Sequence, residues 1–334
     1  MSTGTRRLAR QGVDPARFND PADVVRWLGA MQAQDYGQAV WGIGARLRAG
    51  TLAQVEAAIA AGHIVRTWPM RGTLHFVPAE DAKWLVGLSA TRQLAATRRR
   101  REELGLDEAV LARCRALFDQ HLHQRVTRPA VMDLLREAGV DPQGQRGYHI
   151  LYHAAQTGQI CVGPMEGKQQ TFVLLDAWVP KSRELGREEA LALLAQRYFA
   201  SHGPATVQDF AWWAGLTLAD ARQGAAAVSE AGDEAQPTTR LHLLAGFDEF
   251  LLGYQDRSAV LAAAFADRIV PGGNGVFKSL VVEDGQVVGT WRRTVGKRAV
   301  TVEVERFDGH DPTCRAACER YAAFLGLPLA PLPG

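Results

Sequence analysis

Two glutamines separated by one alanine, Gln32-Ala33-Gln34, combine residue types that could bind and orient a water molecule. A glutamine amide neither gains nor loses a proton near neutral pH, so neither side chain can replace a carboxylate as a general base. Each amide can hold a water by hydrogen bonds, and its dipole favours a positive charge that develops in a transition state. Such a site should act on a bond that breaks easily. Asp35 is the nearest carboxylate and the alternative candidate for a base.

The backbone around the two glutamines decides whether they can act together. Apolar spacing predicts an amphipathic helix over Val24–Gln34. Residues two apart on a helix lie roughly 200° apart, so Gln32 and Gln34 share a side only where the helix has ended or loosened. Gly37 follows soon afterwards and favours such an ending. The alternative interpretation is that the glutamines only cap the helix end with polar groups.

Metal ligands and paired cysteines are not indicated by the sequence. His149 and His153 have the i, i+4 spacing of a helical metal site, but no third ligand stands beside them, and core or surface histidines are more common. The four cysteines contain no C-x-x-C pair, which argues against a disulfide framework and a ribbon-type zinc site. We therefore expect neither a metal nor another cofactor.

Length, composition and charge limit the class of protein. With 334 residues and 47% hydrophobic residues, the chain can form two or three domains that each bury a core. Its apolar runs are far shorter than the roughly 20 residues of a membrane span, and no apolar signal core is present. We therefore expect a cytoplasmic protein without a membrane segment. The net charge is only +2, but Arg98–Arg101 is a block of basic charge, either a nucleic-acid contact or a solvated helix face.

Helix pairs followed by paired strands recur along the chain. Thr206–Val228 has helix-turn-helix spacing, with Thr206 and Thr217 as helix caps. Residues 127–157 repeat the pattern, and two apolar runs over 159–173 predict a β-hairpin after it. Near the N-terminus, predicted helices precede two strand-like runs in the order 24–34, 39–47, 52–61, 64–68 and 73–77. Three such units without a fixed period predict tandem winged helices.

The C-terminal region has a different pattern. Strand-like runs over Lys278–Phe307 are broken at Asp284-Gly285 and Gly296-Lys297, and a last helix is predicted over Pro312–Leu325. The predicted fold class is α+β and mainly α, with tandem winged-helix domains followed by a small C-terminal antiparallel β-barrel or sheet. The predicted domains are three winged helices and a C-terminal domain with a closing helix, at residues 1–90, 91–180, 181–240 and 241–334.

Winged helices mostly bind DNA, because a helix fits the major groove while a hairpin reaches the backbone or the minor groove. The candidates for contacts to duplex DNA lie in the first hairpin, in the arginine block or beside a predicted turn of the C-terminal region: Arg66, Arg71, Thr73, His75, Arg98, Arg99 and Arg292. Arg71 and His75 are the first choice by their position in the first hairpin. Some winged helices mediate only protein contacts, so the fold alone does not show DNA binding.

Four separate strings resemble, in the same order, the AlkZ and YcaQ group of bacterial DNA glycosylases: Met31–Asp35, Arg66–His75, Phe247–Tyr254 and Val270–Phe277. The resemblance covers nearly the whole chain. It implies tandem winged helices and a C-terminal β-barrel that form a concave DNA-binding surface. It also implies release of N-alkylated purines from duplex DNA, in some members from interstrand crosslinks.

The family's catalytic motif is glutamine, apolar residue, glutamine in the AlkZ branch, and glutamine, apolar residue, aspartate in the YcaQ branch. Gln32-Ala33-Gln34 matches the first form. The resemblance therefore implies that Gln32 and Gln34 are the catalytic residues. The alanine is smaller than the usual aliphatic residue, a difference that affects packing more than chemistry.

Two classes of function remain open at this point. The leading one is a DNA glycosylase that hydrolyses the N-glycosidic bond of alkylated purines without a cofactor. The alternative is a non-catalytic winged-helix DNA-binding protein or transcription regulator. A regulator often binds two half-sites as a symmetric dimer. Because the sequence shows pseudo-repeats and no obvious dimerisation helix, we expect a monomer on double-stranded DNA with alkylated purines.

Overall fold

Both ends of the chain belong to one structural unit. The structure, a computed structural model, describes residues 1–228, 240–309 and 314–330. Residues 1–57 together with 191–334 form the first unit, and residues 58–190 form the second. The four predicted domains have other boundaries, and that division remains a prediction.

The described residues form helices and strands in the following positions. The helices are α1 (Thr3–Arg10), α2 (Pro21–Leu28), α3 (Tyr36–Gly44), α4 (Leu52–Ala60), α5 (Ala82–Ala96), α6 (Arg98–Glu103), α7 (Glu108–His121), α8 (Arg128–Glu137), α9 (Arg146–Gln156), α10 (Leu175–Trp178), α11 (Arg187–His202), α12 (Val207–Ala214), α13 (Leu218–Ala225), α14 (Glu249–Leu252), α15 (Ala266–Ile269) and α16 (Arg315–Leu325). The strands are β1 (Met31–Gln32), β2 (Ile64–Thr67), β3 (His75–Pro78), β4 (Val126–Thr127), β5 (Ile160–Glu166), β6 (Gln169–Leu174), β7 (Leu241–Leu244), β8 (Leu280–Glu283), β9 (Gln286–Val295) and β10 (Val300–Arg306). Helix exceeds strand, 49% against 17%, which confirms the mainly α prediction.

In the first unit, a helix pair forms where the threonine caps predict it. The Thr206 side chain accepts from the backbone N–H of Asp209, and the Asp209 carboxylate accepts in return from the N–H of Thr206, at 3.1 and 3.0 Å. These reciprocal bonds satisfy donors that the first turn of α12 leaves open. Gly215 ends the helix with φ +65°, a conformation that suits glycine, and Thr217 caps α13.

The C-terminal strands of the first unit form an antiparallel sheet in the order β10-β9-β8-β7. The turns between its last three strands fall at the two predicted breaks. Among the described residues, β10 and β7 are the two edges of this sheet, so the sheet does not close on itself. The predicted alternative of a β-barrel is therefore wrong for this part of the chain. Trp291 of β9 packs edge-on against Tyr321 of α16, with ring centroids 4.9 Å apart. The predicted closing helix is therefore confirmed from Arg315 onward, while Pro312 lies outside the described residues.

In the second unit, the strand order is β3-β2-β5-β6-β4, and each neighbouring pair is antiparallel. The helices α8 and α9 precede the hairpin β5–β6, as the sequence predicts. A core that includes Trp68, Phe118 and Phe172 lies in this unit. Trp68 meets Tyr152 of α9 edge-on at 6.2 Å, a favoured arrangement of aromatic rings.

The predicted helix over Val24–Gln34 is wrong at both ends. Asp20 accepts a hydrogen bond from the N–H of Ala22 and begins α2 earlier, with Pro21 in its first turn. The helix stops at Leu28 because Gly29 has φ +81°, which breaks the helical hydrogen-bond series. The two glutamines therefore lie after the helix.

None of the described helices is long and apolar enough to cross a membrane.

Candidate active site

The segment that carries the glutamine pair is a two-residue strand followed by a bend. Met31 and Gln32 form β1, and the exposures alternate through the next two residues: Met31 and Ala33 are buried, Gln32 is half-buried and Gln34 is exposed. Gln34 lies in the bend that leads into α3. The helix has therefore ended before both glutamines, which removes the roughly 200° separation that a helix would impose on them.

Asp35, the alternative candidate for a base, caps the next helix. Its Oδ1 accepts a hydrogen bond from the backbone N–H of Gln38 at 3.1 Å. This hydrogen bond satisfies one of the backbone N–H donors that are left open at the start of α3. It also places the carboxylate near the positive end of the helix dipole. The side chain is exposed. Asp35 therefore has a structural role that explains its position without proton transfer.

A buried carboxylate lies directly beneath the glutamine segment. Glu249, the first residue of α14, is 1% exposed. One carboxylate oxygen accepts from the backbone N–H of Gln32 at 3.2 Å. The other accepts from the indole Nε1–H of Trp213 at 2.8 Å and lies 3.4 Å from Nε2 of His202. Sequence reasoning did not select Glu249. An available signal was the pair of acidic residues Asp248-Glu249 between apolar residues of Phe247–Tyr254, because a buried charge needs partners.

A small pocket adjoins both Gln32 and Glu249. Its volume is about 10 Å³, and Gln38 and Phe247 also line it. A single water needs roughly 10–15 Å³ of such space and two to four polar partners. The pocket therefore has about the size of one water, beside the half-buried glutamine.

The residue before Glu249 is held by a buried ion pair. Arg46 donates to both carboxylate oxygens of Asp248, at 3.0 and 2.9 Å, and both side chains are fully buried. The same guanidinium also donates to the backbone carbonyls of Gln11 and Gly42. Asp248 in turn accepts from the N–H of Phe250 and caps α14. These bonds fix the start of the helix that presents Glu249.

An open groove of about 910 Å³ begins at the same place. Asp35, Gln38 and Phe247 line one part of it, and Arg292 and Arg293 of β9 line another. Arg292 is exposed, and its Nε donates to Oε2 of Glu303 on β10 at 2.8 Å. The structure thus brings Arg292, a predicted DNA contact, to the same groove as Asp35.

The predicted DNA contacts of the first hairpin are placed unequally. Arg66 and His75 are 3% and 0% exposed, so their side chains are buried and do not face a phosphate. The prediction that these two residues contact DNA is therefore corrected. The cause is the strand pattern: all residues of β2 and β3 are buried, whereas an alternating sequence suggests one open face. Arg71 and Thr73 are half-buried in the connecting turn, where Arg71 has φ +51°.

The arginine block forms an exposed helix whose charge is largely paired. Arg98 and Arg99 of α6 form ion pairs with Glu102 and Glu103, at 2.8 and 3.0 Å. Each pair has the i, i+4 spacing that stabilises an isolated helix. The solvated helix face therefore accounts for the block by itself, and its contact with DNA remains a prediction.

Burial sets the protonation of His202. It lowers the pKa of this histidine, and the Glu249 carboxylate raises that pKa in part. Since the folded pKa is lowered, the unfolded chain binds a proton that the folded chain does not when the pH falls below about 6.5. The contribution of His202 to the free energy of unfolding should be fully present above about pH 7 and decline at lower pH, by at most about 1.4 kcal/mol per pH unit.

Urea unfolding of the wild type and of His202→Asn at about pH 7.5 and 5.5 measures this contribution. The variant should lose less stability between the two pH values, whatever its stability at the higher one. An equal loss in both proteins would show that His202 does not titrate in this way.

The solved structure of Streptomyces sahachiroi DNA glycosylase AlkZ has a similar fold. The TM-score is 0.79 over 98% of both chains, at 23% identity. The mainly helical chain with open antiparallel sheets thus shares the fold of that solved structure.

The family follows from the sequence match. The profile of the family described as DNA glycosylase AlkZ-like matches residues 25–326. The chain belongs to the AlkZ-like DNA glycosylase family. One relative, the interstrand DNA cross-link repair glycosylase of Streptomyces sahachiroi, is 28% identical over 332 residues, which covers 85% of each chain.

Proposed function

We propose that this protein is a DNA repair glycosylase that hydrolyses the N-glycosidic bond of N-alkylated purines such as N7-alkylguanine. The observation that carries the proposal is the position of Gln32, in the strand β1, beside a pocket of about the volume of one water, with Gln34 exposed two residues further on. Membership in the AlkZ-like family supports the same class of reaction. Asp35 is engaged as a helix cap, which favours the two amides as the groups that act on the water.

The chemistry needs a positioned water and no acid. Alkylation at N7 gives the purine a positive charge, so the electron pair of the glycosidic bond leaves with the base without protonation. The oxygen of the water forms a bond to the sugar C1′, and its surplus proton passes to solvent. The amide oxygens of Gln32 and Gln34 accept hydrogen bonds from the water, and their dipoles favour the oxocarbenium ion.

The two helix pairs support a DNA-binding role for the fold. We interpret α12–α13 as a helix-turn-helix unit, because only residues 215–217 separate the two helices. We interpret α8–α9 as a winged-helix unit, because the hairpin β5–β6 follows the helix pair, although the longer connection 138–145 joins its helices. Arg71, Thr73, Arg98, Arg99 and Arg292 remain the proposed DNA contacts. The protein would act on double-stranded DNA as a monomer.

The same cleavage of an N-glycosidic bond applies to interstrand crosslinks. The relative from Streptomyces sahachiroi is named an interstrand DNA cross-link repair glycosylase. A crosslink that joins two alkylated purines contains, on each strand, the cationic leaving group described above. Cleavage on one side releases that strand. We therefore propose crosslink unhooking as a second substrate class for the same site.

Substrate selectivity tests the proposed function. A neutral site selects by the lability of the leaving group, so free base should be released from a duplex with N7-methylguanine and not from the same duplex with unmodified guanine. Chromatography of the released base measures both. Comparable release of unmodified guanine would argue for an acid or base that the two amides do not supply.

DNA binding should depend on salt and only weakly on sequence. Arginines that contact phosphates release counterions, so affinity should fall as salt rises. Arg71→Ala should weaken binding to modified and unmodified duplex alike, by roughly 1 kcal/mol or about fivefold in Kd. Fluorescence anisotropy measures the effect, with the melting temperature as a control of folding. An unchanged Kd would remove the first hairpin from the DNA surface.

A further inference from the structure

We propose that Glu249 is a positioning residue for the glutamine pair: its buried carboxylate holds the backbone of Gln32 and thereby sets where Gln32 and Gln34 present their amides. The inference rests on the proposed function and names a further residue of the same site. It starts from one contact, the hydrogen bond from the Gln32 N–H to the Glu249 carboxylate at 3.2 Å. These two residues are 217 positions apart in the chain.

The carboxylate is suited to holding a backbone and poorly suited to proton transfer. Both of its oxygens accept from donors, one from Gln32 and one from Trp213. It is 1% exposed, which keeps it from exchanging these partners for solvent. Hydrogen bonds to a charged acceptor are roughly twice as strong as bonds between neutral groups. A glutamate at this position is therefore a firm anchor for the backbone at Gln32.

The groups around the carboxylate are themselves fixed. Nδ1 of His202 lies 2.8 Å from the hydroxyl oxygen of Ser201, and the Tyr254 hydroxyl donates to the His202 carbonyl at 2.6 Å. The amide of Gln11 donates to the backbone carbonyl of Glu249 at 3.2 Å. Side chains from α11, α12 and the segment after α1 thus hold Glu249 from several directions. These contacts fix the Glu249 carboxylate and, through it, the position of the Gln32 backbone.

Position matters here because the amides act by holding a water and by the direction of their dipoles, and both effects depend on where the amides lie. A misplacement of about 1 Å in an active site can cost on the order of 100-fold in rate. Gln32 and Glu249 also line the same pocket, so a shift of the Gln32 backbone changes the space that a water would occupy. An aliphatic residue at position 249 would leave the N–H of Gln32 without this acceptor.

Glu249→Gln tests the proposal with little change of volume. A glutamine has one acceptor oxygen, whereas Gln32 and Trp213 both present N–H donors to this side chain. One of the two donors must then face an NH₂ group. We expect single-turnover release of N7-methylguanine to slow by roughly 10- to 100-fold, while Kd for the duplex stays within about twofold of the wild type. Hydrogen exchange at the Gln32 amide should become faster.

Tyr198→Phe is the matched control for a loss of stability in the same core. The Tyr198 hydroxyl donates to the Gly253 carbonyl at 2.6 Å, so its removal breaks a buried hydrogen bond that involves neither Glu249 nor Gln32. We expect this variant to keep the wild-type release rate and the wild-type exchange at Gln32, even where its melting temperature falls as far as that of Glu249→Gln.

Three results would overturn the proposal: a wild-type release rate in Glu249→Gln, slow release with unchanged exchange at Gln32, or equally slow release in Tyr198→Phe. A wild type that binds the duplex and releases no base would instead contradict the proposed function. Exchange at the Gln32 amide in Glu249→Gln would still decide whether the carboxylate holds this segment.

Discussion

Gln34→Ala and Gln32→Ala are each expected to slow release of N7-methylguanine by roughly 10- to 1000-fold, the range for loss of one positioning or electrostatic group. The amides act on the water and not on the DNA backbone, so DNA affinity should change little. Single-turnover release with enzyme in excess, together with Kd by anisotropy, separates the two effects. The fold should survive, because Gln34 is exposed and Gln32 is half-buried.

The pH profile and one further variant distinguish the amides from a titrating base. The wild-type rate should be nearly flat from about pH 6 to 8, since neither amide titrates, whereas a histidine base would impose a step near 6.5. Asp35→Asn keeps an acceptor oxygen for the Gln38 N–H and should retain most of the rate. Wild-type release by both glutamine variants together with a collapse in Asp35→Asn would reassign the reaction to Asp35.

Arg46→Ala is expected to cause the largest loss of stability, about 3–5 kcal/mol in the free energy of unfolding. Removal of the guanidinium leaves the fully buried carboxylate of Asp248 without the bidentate partner that compensates its charge. It also removes donors from the carbonyls of Gln11 and Gly42. Urea unfolding monitored by circular dichroism measures the loss.

Arg98→Ala is the control, because it removes an ion pair that is exposed, whereas the Arg46–Asp248 pair is buried. Arg98 and Glu102 are 77% and 61% exposed, and pairs in that environment contribute about 0–1 kcal/mol. A loss below about 1 kcal/mol is expected. Similar losses of unfolding free energy in the two variants would mean that burial does not determine how much the Arg46–Asp248 pair contributes to stability.

Local signals in the sequence predict much of this fold. Threonine caps place the starts of α12 and α13, and turn residues place both breaks in the C-terminal sheet. Each of these features depends on hydrogen bonds or backbone angles within a few residues, which is why a single sequence contains them. The end of α2 is also local in cause, since Gly29 terminates it, but the apolar periodicity continues past that glycine and extended the predicted helix too far.

The site is only partly predictable for a different reason. Gln32 and Gln34 are identified by a motif within three residues. Glu249 and His202 approach them only through folding, because they lie far along the chain and no spacing rule connects them. The placement of Arg66 fails in a similar way: burial of both faces of β2 depends on neighbouring elements, which the residues of the strand do not encode.

The most direct test of the central claim is release of free N7-methylguanine from a duplex by the wild-type protein under single-turnover conditions. The Gln32→Ala, Gln34→Ala double variant is measured at the same saturation of DNA. We predict that the wild type releases the base and leaves an abasic site, while the double variant binds equally well and releases it far more slowly. Full binding of the duplex with no release by the wild type would contradict the account and favour a DNA-binding protein without catalysis.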